Sequence, residues 1–151
     1  MSGPTHVLDT DSFTLYQHGV EPLTGRVLAA PPGAVSVAVV TVGEALAGWQ
    51  AAARRAKTPE QVETAYAALA ESAAALARFP ILRYDRAAID RFEQLRRAKL
   101  NVGSDDLRIA ATALVHRVTV VTRNLRDFGR VPGLVCEDWA ADPLAGPAPA
   151  A

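Results

Sequence analysis

Acidic side chains follow apolar, β-branched segments at several widely separated places in this chain of 151 residues. Asp9 ends V-L-D, Glu44 ends V-V-T-V-G-E, and Asp106 lies in V-G-S-D-D-L-R-I-A-A; Asn124 and Asp127 lie in V-V-T-R-N-L-R-D-F. Carboxylates gathered in one place cannot all stay ionised without a cation. Hard divalent ions, which take oxygen ligands, usually supply it. The pattern therefore predicts a magnesium- or manganese-dependent site, if the fold brings these positions together.

Strands and helices alternate along the sequence, and this alternation predicts how the acids are positioned. The apolar segments predict strands over residues 5–8, 35–40, 81–84, 118–122 and 134–136. Helices are predicted over residues 11–17, 21–30, 41–56, 58–78, 85–99 and 104–116. This order predicts an α/β fold, with a parallel sheet of about five strands flanked by helices on both faces. Such sheets bind ligands at the carboxyl ends of their strands, where the acids stand.

Composition excludes some classes of protein and leaves others open. Half of the residues are hydrophobic, which predicts one folded domain over residues 1–141, whereas the low-complexity residues 142–151 predict a disordered tail. Net charge is zero, but residues 81–130 hold eleven Lys and Arg against six acids. This local excess suits phosphate contacts, and an arginine-rich genome explains it equally well. Cys136 is the only cysteine, and no segment resembles a signal peptide or a membrane span, so we expect a soluble cytoplasmic protein.

Each candidate acid also has an ordinary structural explanation. Asp9 suits the N-cap of the following helix, and Asp11 could be that cap or hold a water near a metal ion. Glu44 could close a capping box with Thr41. Asp105 and Asp106 lie in the first turn of a predicted helix capped by Ser104, where negative charge is favourable. The residues alone leave these alternatives open.

Four blocks of sequence resemble the PIN-domain ribonucleases of the VapC toxin type. They are L-D-T-D at 8–11, S-V-A-V-V-T-V-G-E at 36–44, V-G-S-D-D-L-R-I-A-A-T-A-L at 102–114 and T-V-V-T-R-N-L-R-D-F-G-R-V-P-G-L at 119–134, followed by E-D-W at 137–139. They stand in the family's order and span about residues 6–139. The resemblance implies a Rossmann-like PIN fold that gathers acids around Mg²⁺ or Mn²⁺ and cleaves RNA.

The resemblance assigns roles to particular residues. Asp9, Glu44 and Asp106 match the family's metal-binding acids, and Asn124 matches a fourth catalytic position that is often acidic. Residues that could support the metal or the substrate are Thr10, Asp11, Thr14, Arg108, Arg123 and Asp127. For the arginines among them, a solvated surface is the competing explanation. Asp105 falls where the family often has a neutral residue and is expected to be a solvated neighbour.

The resemblance also implies partners, and it leaves rival functions to be weighed. It implies an endoribonuclease toxin that a VapB-type antitoxin neutralises, with a homodimeric nuclease and the helix over 58–78 as a docking face. Rivals are a PIN nuclease of RNA processing, a nuclease-like fold that only binds partners, and a phospho-receiver domain. The receiver would need a Lys near the end of the last strand, and neither Lys57 nor Lys99 lies there. The intact acids argue against a module that only binds partners.

Overall fold

The computed structural model describes residues 3–141 and shows a parallel sheet of five strands. The strands are β1 (His6–Leu8), β2 (Val35–Ala38), β3 (Ile81–Leu82), β4 (Thr119–Val121) and β5 (Cys136–Glu137). Their order across the sheet is β3-β2-β1-β4-β5, and every neighbouring pair is parallel. The predicted fold class is confirmed. The predicted tail over 142–151 lies outside the described residues, so the domain boundary stays a prediction.

Seven helices of the described chain cover the two faces of the sheet. They are α1 (Thr10–Gln17), α2 (Leu23–Ala29), α3 (Val39–Arg55), α4 (Pro59–Leu76), α5 (Arg86–Arg97), α6 (Ser104–His116) and α7 (Leu125–Phe128). Val7 packs in a core with α5 and α6, whereas the next residue, Leu8, packs in a second core with α1 and α2. This alternation is what a strand buried on both faces requires. None of the helices in residues 3–141 combines the length and the hydropathy that crossing a bilayer requires.

Two predicted helix starts are wrong, and the reasons are local. Helix α3 begins at Val39 with Ala38 as its N-cap, and no side chain caps it, so the predicted capping box of Thr41 and Glu44 does not form. Strand β2 ends earlier than predicted, which places Thr41 inside the helix, where its side chain is fully buried. Helix α6 begins at Ser104 itself, so its N-cap is Gly103.

The sheet order creates a switch point beside its central strand. The chain leaves β1 for β2 and β3 on one side, then returns to place β4 on the other side of β1. Leu8 of β1 is in register with Val37 of β2 and Val121 of β4, so the carboxyl ends of these strands are level. Crossover helices diverge at such a point and leave a crevice, which is where open α/β sheets bind their ligands.

Candidate functional site

Asp9 lies at the switch point, directly after β1. Its backbone N–H donates to the carbonyl of Val121 at 3.1 Å, and its side chain is buried, with 3% exposure. Its Oδ1 accepts a hydrogen bond from the N–H of Ser12 at 2.8 Å, so Asp9, and not Asp11, is the N-cap of α1. Burial raises the pKa of Asp9 above its ordinary value, and hydrogen bonds from Thr122 and Ser12 oppose that rise. This capping bond therefore fixes the position of the Asp9 carboxylate, whose ionisation is disfavoured by burial.

Glu44 reaches the same place from α3. Its Oε1 accepts a hydrogen bond from the hydroxyl of Thr10 at 2.8 Å, and Thr10 Oγ1 lies 3.1 Å from Thr41 Oγ1. Burial raises the pKa of Glu44, the Thr10 hydrogen bond lowers it, and the neighbouring Asp105 and Asp11 raise it further. A chain of two threonine hydroxyls thus orients this carboxylate towards other acids.

Asp106 lies in the first turn of α6 and is half-buried. Its pKa is raised from 3.8 to about 6, first by burial and then by the negative charges of Asp9, Glu44, Asp11 and Asp127. Like charges act on a pKa in this way only when they lie close together. The three acids predicted to bind metal are therefore brought together from three separate elements, and we call Asp9, Glu44 and Asp106 the acidic cluster.

Asn124, the predicted fourth catalytic residue, is engaged in local structure. It is the N-cap of α7: its Oδ1 accepts from the N–H of Asp127 at 3.2 Å, and its Nδ2 donates to Asp127 Oδ2 at 2.9 Å. The other carboxylate oxygen of Asp127 accepts from Arg130 at 3.1 Å. Both polar atoms of the Asn124 amide are thus occupied, and Asp127 is paired with a cation.

A neighbouring acid has a closer relation to the site than its sequence position suggested. Asp105 is exposed and forms an ion pair with Arg108 at 3.0 Å, yet its carboxyl lies near enough to Glu44 to raise the pKa of that group. Asp105 is thus exposed, as expected of a solvated neighbour, and it also adds to the negative charge around Glu44. In the sequence, only the i, i+3 spacing indicated the ion pair between Asp105 and Arg108.

A groove of about 570 Å³ opens beside the acidic cluster. It is lined by Asp11, Thr14, Leu15, Arg123 and Asn124. Thr14 donates to the backbone carbonyl of Thr10 at 3.1 Å, so its hydroxyl serves helix α1 and not a carboxylate. Arg123 is exposed and lines this groove together with Asp11, so the groove contains both a cationic and an anionic side chain.

The acidic cluster suits a hydrated hard cation better than a closed metal cage. Within residues 3–141, no three Asp, Glu, His or Cys side chains already converge tightly enough to hold an ion by themselves. The negative charges of Asp9 and Glu44 nevertheless raise the pKa of Asp106, so the three carboxylates are close enough to repel one another. Within the same residues, the buried hydroxyl of Ser12, beside Asp9, has no hydrogen-bond partner. Mg²⁺ keeps several waters and takes only one or two carboxylates directly, so an open set of oxygens with a spare polar group fits it.

Known proteins resemble this chain in sequence and in structure. Residues 8–134 match the family model of the PIN domain. The "tRNA(fMet)-specific endonuclease VapC" of Salmonella typhimurium is 40% identical over 68 residues, which is 42% of this chain and 52% of that protein. "Ribonuclease VapC2" of Rickettsia felis is 39% identical over 46 residues, 30% of this chain and 34% of that protein. The matched segments thus span about half or less of these curated relatives.

Solved structures match over a longer stretch. The crystal structure of DNA-bound VapBC from Salmonella typhimurium superposes with a TM-score of 0.73 and 28% identity, covering 90% of this chain and 98% of that one. VapBC-1 from nontypeable Haemophilus influenzae gives a TM-score of 0.72 at 20% identity, which bears on the fold alone. The family match extends over most of the chain and includes Asp9, Glu44 and Asp106. This chain belongs to the PIN-domain family.

Proposed function

We propose that this protein is a VapC-like endoribonuclease toxin that hydrolyses RNA phosphodiester bonds with Mg²⁺ or Mn²⁺. The observation that carries the proposal is the acidic cluster at the switch point, in which neighbouring carboxylates help to raise the pKa of Asp106 to about 6. The family match supports a nuclease, and the names of the relatives support RNA as the substrate. The cytoplasm is the expected place of action.

Asp9, Glu44 and Asp106 would hold the ion, and the surrounding residues keep them ready for it. Asp9 is fixed by its capping bond to Ser12, and Glu44 by the hydroxyl of Thr10. When bound, the divalent ion supplies an activated water and stabilises the charge that develops on the phosphate. The residues of the protein orient the carboxylates and position the substrate, because phosphoryl transfer depends mainly on positioning and electrostatic stabilisation. Asn124 is proposed as the fourth catalytic residue, and its hydrogen bonds with Asp127 shape the turn at the end of β4.

The helical hairpin of α3 and α4 is the proposed docking face for a VapB-like antitoxin. Val62 and Tyr66 stand on neighbouring turns of α4 with 37% and 58% of their surface exposed. Trp49 of α3 lines an adjoining groove of about 430 Å³ and donates from its Nε1 to Ser72 at 3.0 Å. Exposed apolar side chains beside a groove are typical of surfaces that bind protein partners. A homodimer of the nuclease is proposed on the family resemblance.

Cleavage of a total RNA pool tests the enzymatic part of the proposal. The purified protein is incubated with Mg²⁺, with Mn²⁺ or with a chelator, beside the variants Asp9→Asn and Asp90→Asn. Asn is as good an N-cap as Asp, so Asp9→Asn removes the charge while α1 keeps its start. Asp90 is an exposed acid paired with Arg86 at 2.9 Å, which makes Asp90→Asn a matched control for the loss of one carboxylate.

We expect cleavage with either metal ion, no cleavage with the chelator, and loss of cleavage in Asp9→Asn alone. Undiminished cleavage in the chelator or in Asp9→Asn would refute the metal mechanism. Expression in a bacterial host tests the toxin assignment, since growth arrest that a co-expressed small neighbouring protein relieves is the expected result. Metal-dependent cleavage without growth arrest would instead identify a nuclease of RNA processing.

A further inference from the structure

Arg108 holds its guanidinium in one place through contacts with three different side chains. Nη1 donates to Asp105 Oδ1 at 3.0 Å, and Cζ lies 4.7 Å from the centre of the Phe92 ring. Tyr84 is also a neighbour: burial raises the pKa of its phenol, and the charge and hydrogen bond of Arg108 oppose that rise. Stacking on an aromatic face fixes the plane of a guanidinium and leaves its edge free to donate. Arg108 is therefore a preorganised cation.

This cation lies on one flank of the acidic cluster. Arg108 is paired with Asp105, the residue before Asp106, and Tyr84 follows the carboxyl end of β3. On the other flank, Arg123 follows the carboxyl end of β4 and lines the groove beside Asp11. Strands β3 and β4 are separated by β2 and β1, which corresponds to three strand spacings, or about 14 Å. A short stretch of a single nucleic acid strand spans such a distance.

A purely structural role explains Arg108 poorly. Its side chain is 36% exposed and that of Asp105 is 52% exposed, and ion pairs at such positions contribute little to stability. Asp105 accepts a hydrogen bond from Nη1 alone. A guanidinium has five N–H donors in a fork that matches phosphate oxygens. Arg123 makes no ion pair within residues 3–141.

We propose that Arg108 and Arg123 bind the RNA phosphates on either side of the scissile one, so that a single RNA strand crosses the sheet edge from the end of β3 to the end of β4. This inference rests on the proposed function, because it takes RNA as the substrate. It assigns the two arginines as substrate-binding residues and leaves the acidic cluster between them to act on the central phosphate. Unpaired RNA is the expected substrate, since a single strand can bend into such a path.

The salt dependence of RNA binding tests the proposal. The probe is a short, fluorescein-labelled single-stranded RNA of mixed sequence, followed by anisotropy with Ca²⁺ in place of Mg²⁺, and a gel confirms that it stays intact. The variants are Arg108→Ala, Arg123→Ala, their combination, and the control Arg96→Ala. Arg96 is in the last turn of α5, about 15 Å along the helix from the end that follows β3, with 58% of its side chain exposed and an ion pair to Glu93 at 2.6 Å.

We expect Arg108→Ala and Arg123→Ala each to weaken binding about tenfold, as for the loss of a charge-assisted hydrogen bond. Each should also lower the slope of log affinity against log salt by about 0.7, the value for one phosphate contact on a single strand. Arg96→Ala should keep the wild-type slope. Asp105→Asn frees Arg108 from its partner and should keep or raise RNA affinity.

Unchanged slopes in Arg108→Ala and Arg123→Ala would overturn the inference. So would equal losses in Arg96→Ala, or a loss of affinity in Asp105→Asn that matches Arg108→Ala, since that would mark the pair as structural. Cleavage with Mg²⁺ is measured on the same proteins to separate the two proposals. Cleavage by the wild type with unchanged slopes overturns this inference alone, whereas lowered slopes without any cleavage support the RNA path and overturn the proposed enzymatic function.

Discussion

Replacement of Asp106 with Asn is expected to stabilise the metal-free protein at pH 7 by about 1–2 kcal/mol. The pKa of Asp106 rises from 3.8 to about 6, through burial first and then through the charges of neighbouring acids. A difference of this size corresponds to at most about 3 kcal/mol between the two protonation states. Asp106 is only half-buried, so solvent screens part of that energy. For a chain of this length, the expected rise in melting temperature is roughly 2–8 °C.

The stabilisation should depend on pH in a defined direction. Below about pH 4, Asp106 is protonated in both the folded and the unfolded wild-type chain, so the variant has no advantage. As the pH rises from about 4 to about 6, the unfolded chain ionises this carboxyl while the folded wild-type protein keeps it protonated, so the stability of the wild type falls relative to the variant. Above that pH the difference is constant. Saturating Mg²⁺ should reverse the order, because an ion at 100 times its Kd stabilises the wild type by about 2.7 kcal/mol.

Urea unfolding followed by circular dichroism, in chelator and from about pH 4 to pH 8, measures this difference. The control is Asp90→Asn, which removes an exposed carboxylate that is paired with Arg86. The control should follow the wild-type curve through the window in which Asp106→Asn departs from it. If Asp106→Asn is less stable than the wild type at every pH, or if the control shows the same divergence, the ionised Asp106 carboxylate does not destabilise the folded protein.

Three further substitutions test the contacts that hold the site and the hairpin. Thr10→Val removes the hydroxyl that orients Glu44 and should lower Mg²⁺ affinity about 10- to 100-fold in a calorimetric titration; unchanged affinity would deny Thr10 that role. Asn124→Ala removes the cap of α7 and should cost about 1 kcal/mol of unfolding free energy, whereas Asn124→Asp should keep the wild-type value. Ser72→Ala leaves the Trp49 indole N–H without its acceptor and should cost about 1–3 kcal/mol in urea unfolding; a cost near zero would mean that water replaces the hydroxyl.

The sheet and the meeting of the acids could be predicted from sequence because they depend on simple periodicities. A short run of small and β-branched residues such as 35–38 becomes a strand buried on both faces, and strands that alternate with helices are expected to run parallel. Once the strands are parallel, residues after their carboxyl ends share one edge of the sheet. Asp9 therefore meets Asp106 although they are far apart along the chain. Motif order then singled out the same residues.

The details that the sequence did not predict depend on contacts between distant segments. The sequence predicts Thr41 as a helix cap, but β2 ends early and Thr41 is instead a buried neighbour of Thr10. Asp105 is exposed as predicted, and the packing of α6 near α3 also places its carboxyl beside Glu44. The capping of α7 by the Asn124 amide was not predicted, and the catalytic role of Asn124 stays a prediction. In each case local propensity allowed two outcomes and tertiary contacts decided between them.

The distribution of cations among the acids supports the proposal that the acidic cluster binds an external ion. Asp127 is paired with Arg130, and Asp105 with Arg108, so these carboxylates have a positive partner within the fold. Within residues 3–141, no Lys, Arg or His forms an ion pair with any member of the acidic cluster. Carboxylates that served only as caps or as surface charges would gain from such partners. Burial and mutual repulsion raise the pKa values of these acids and cost stability, and in the proposed mechanism the binding of a divalent ion recovers this cost.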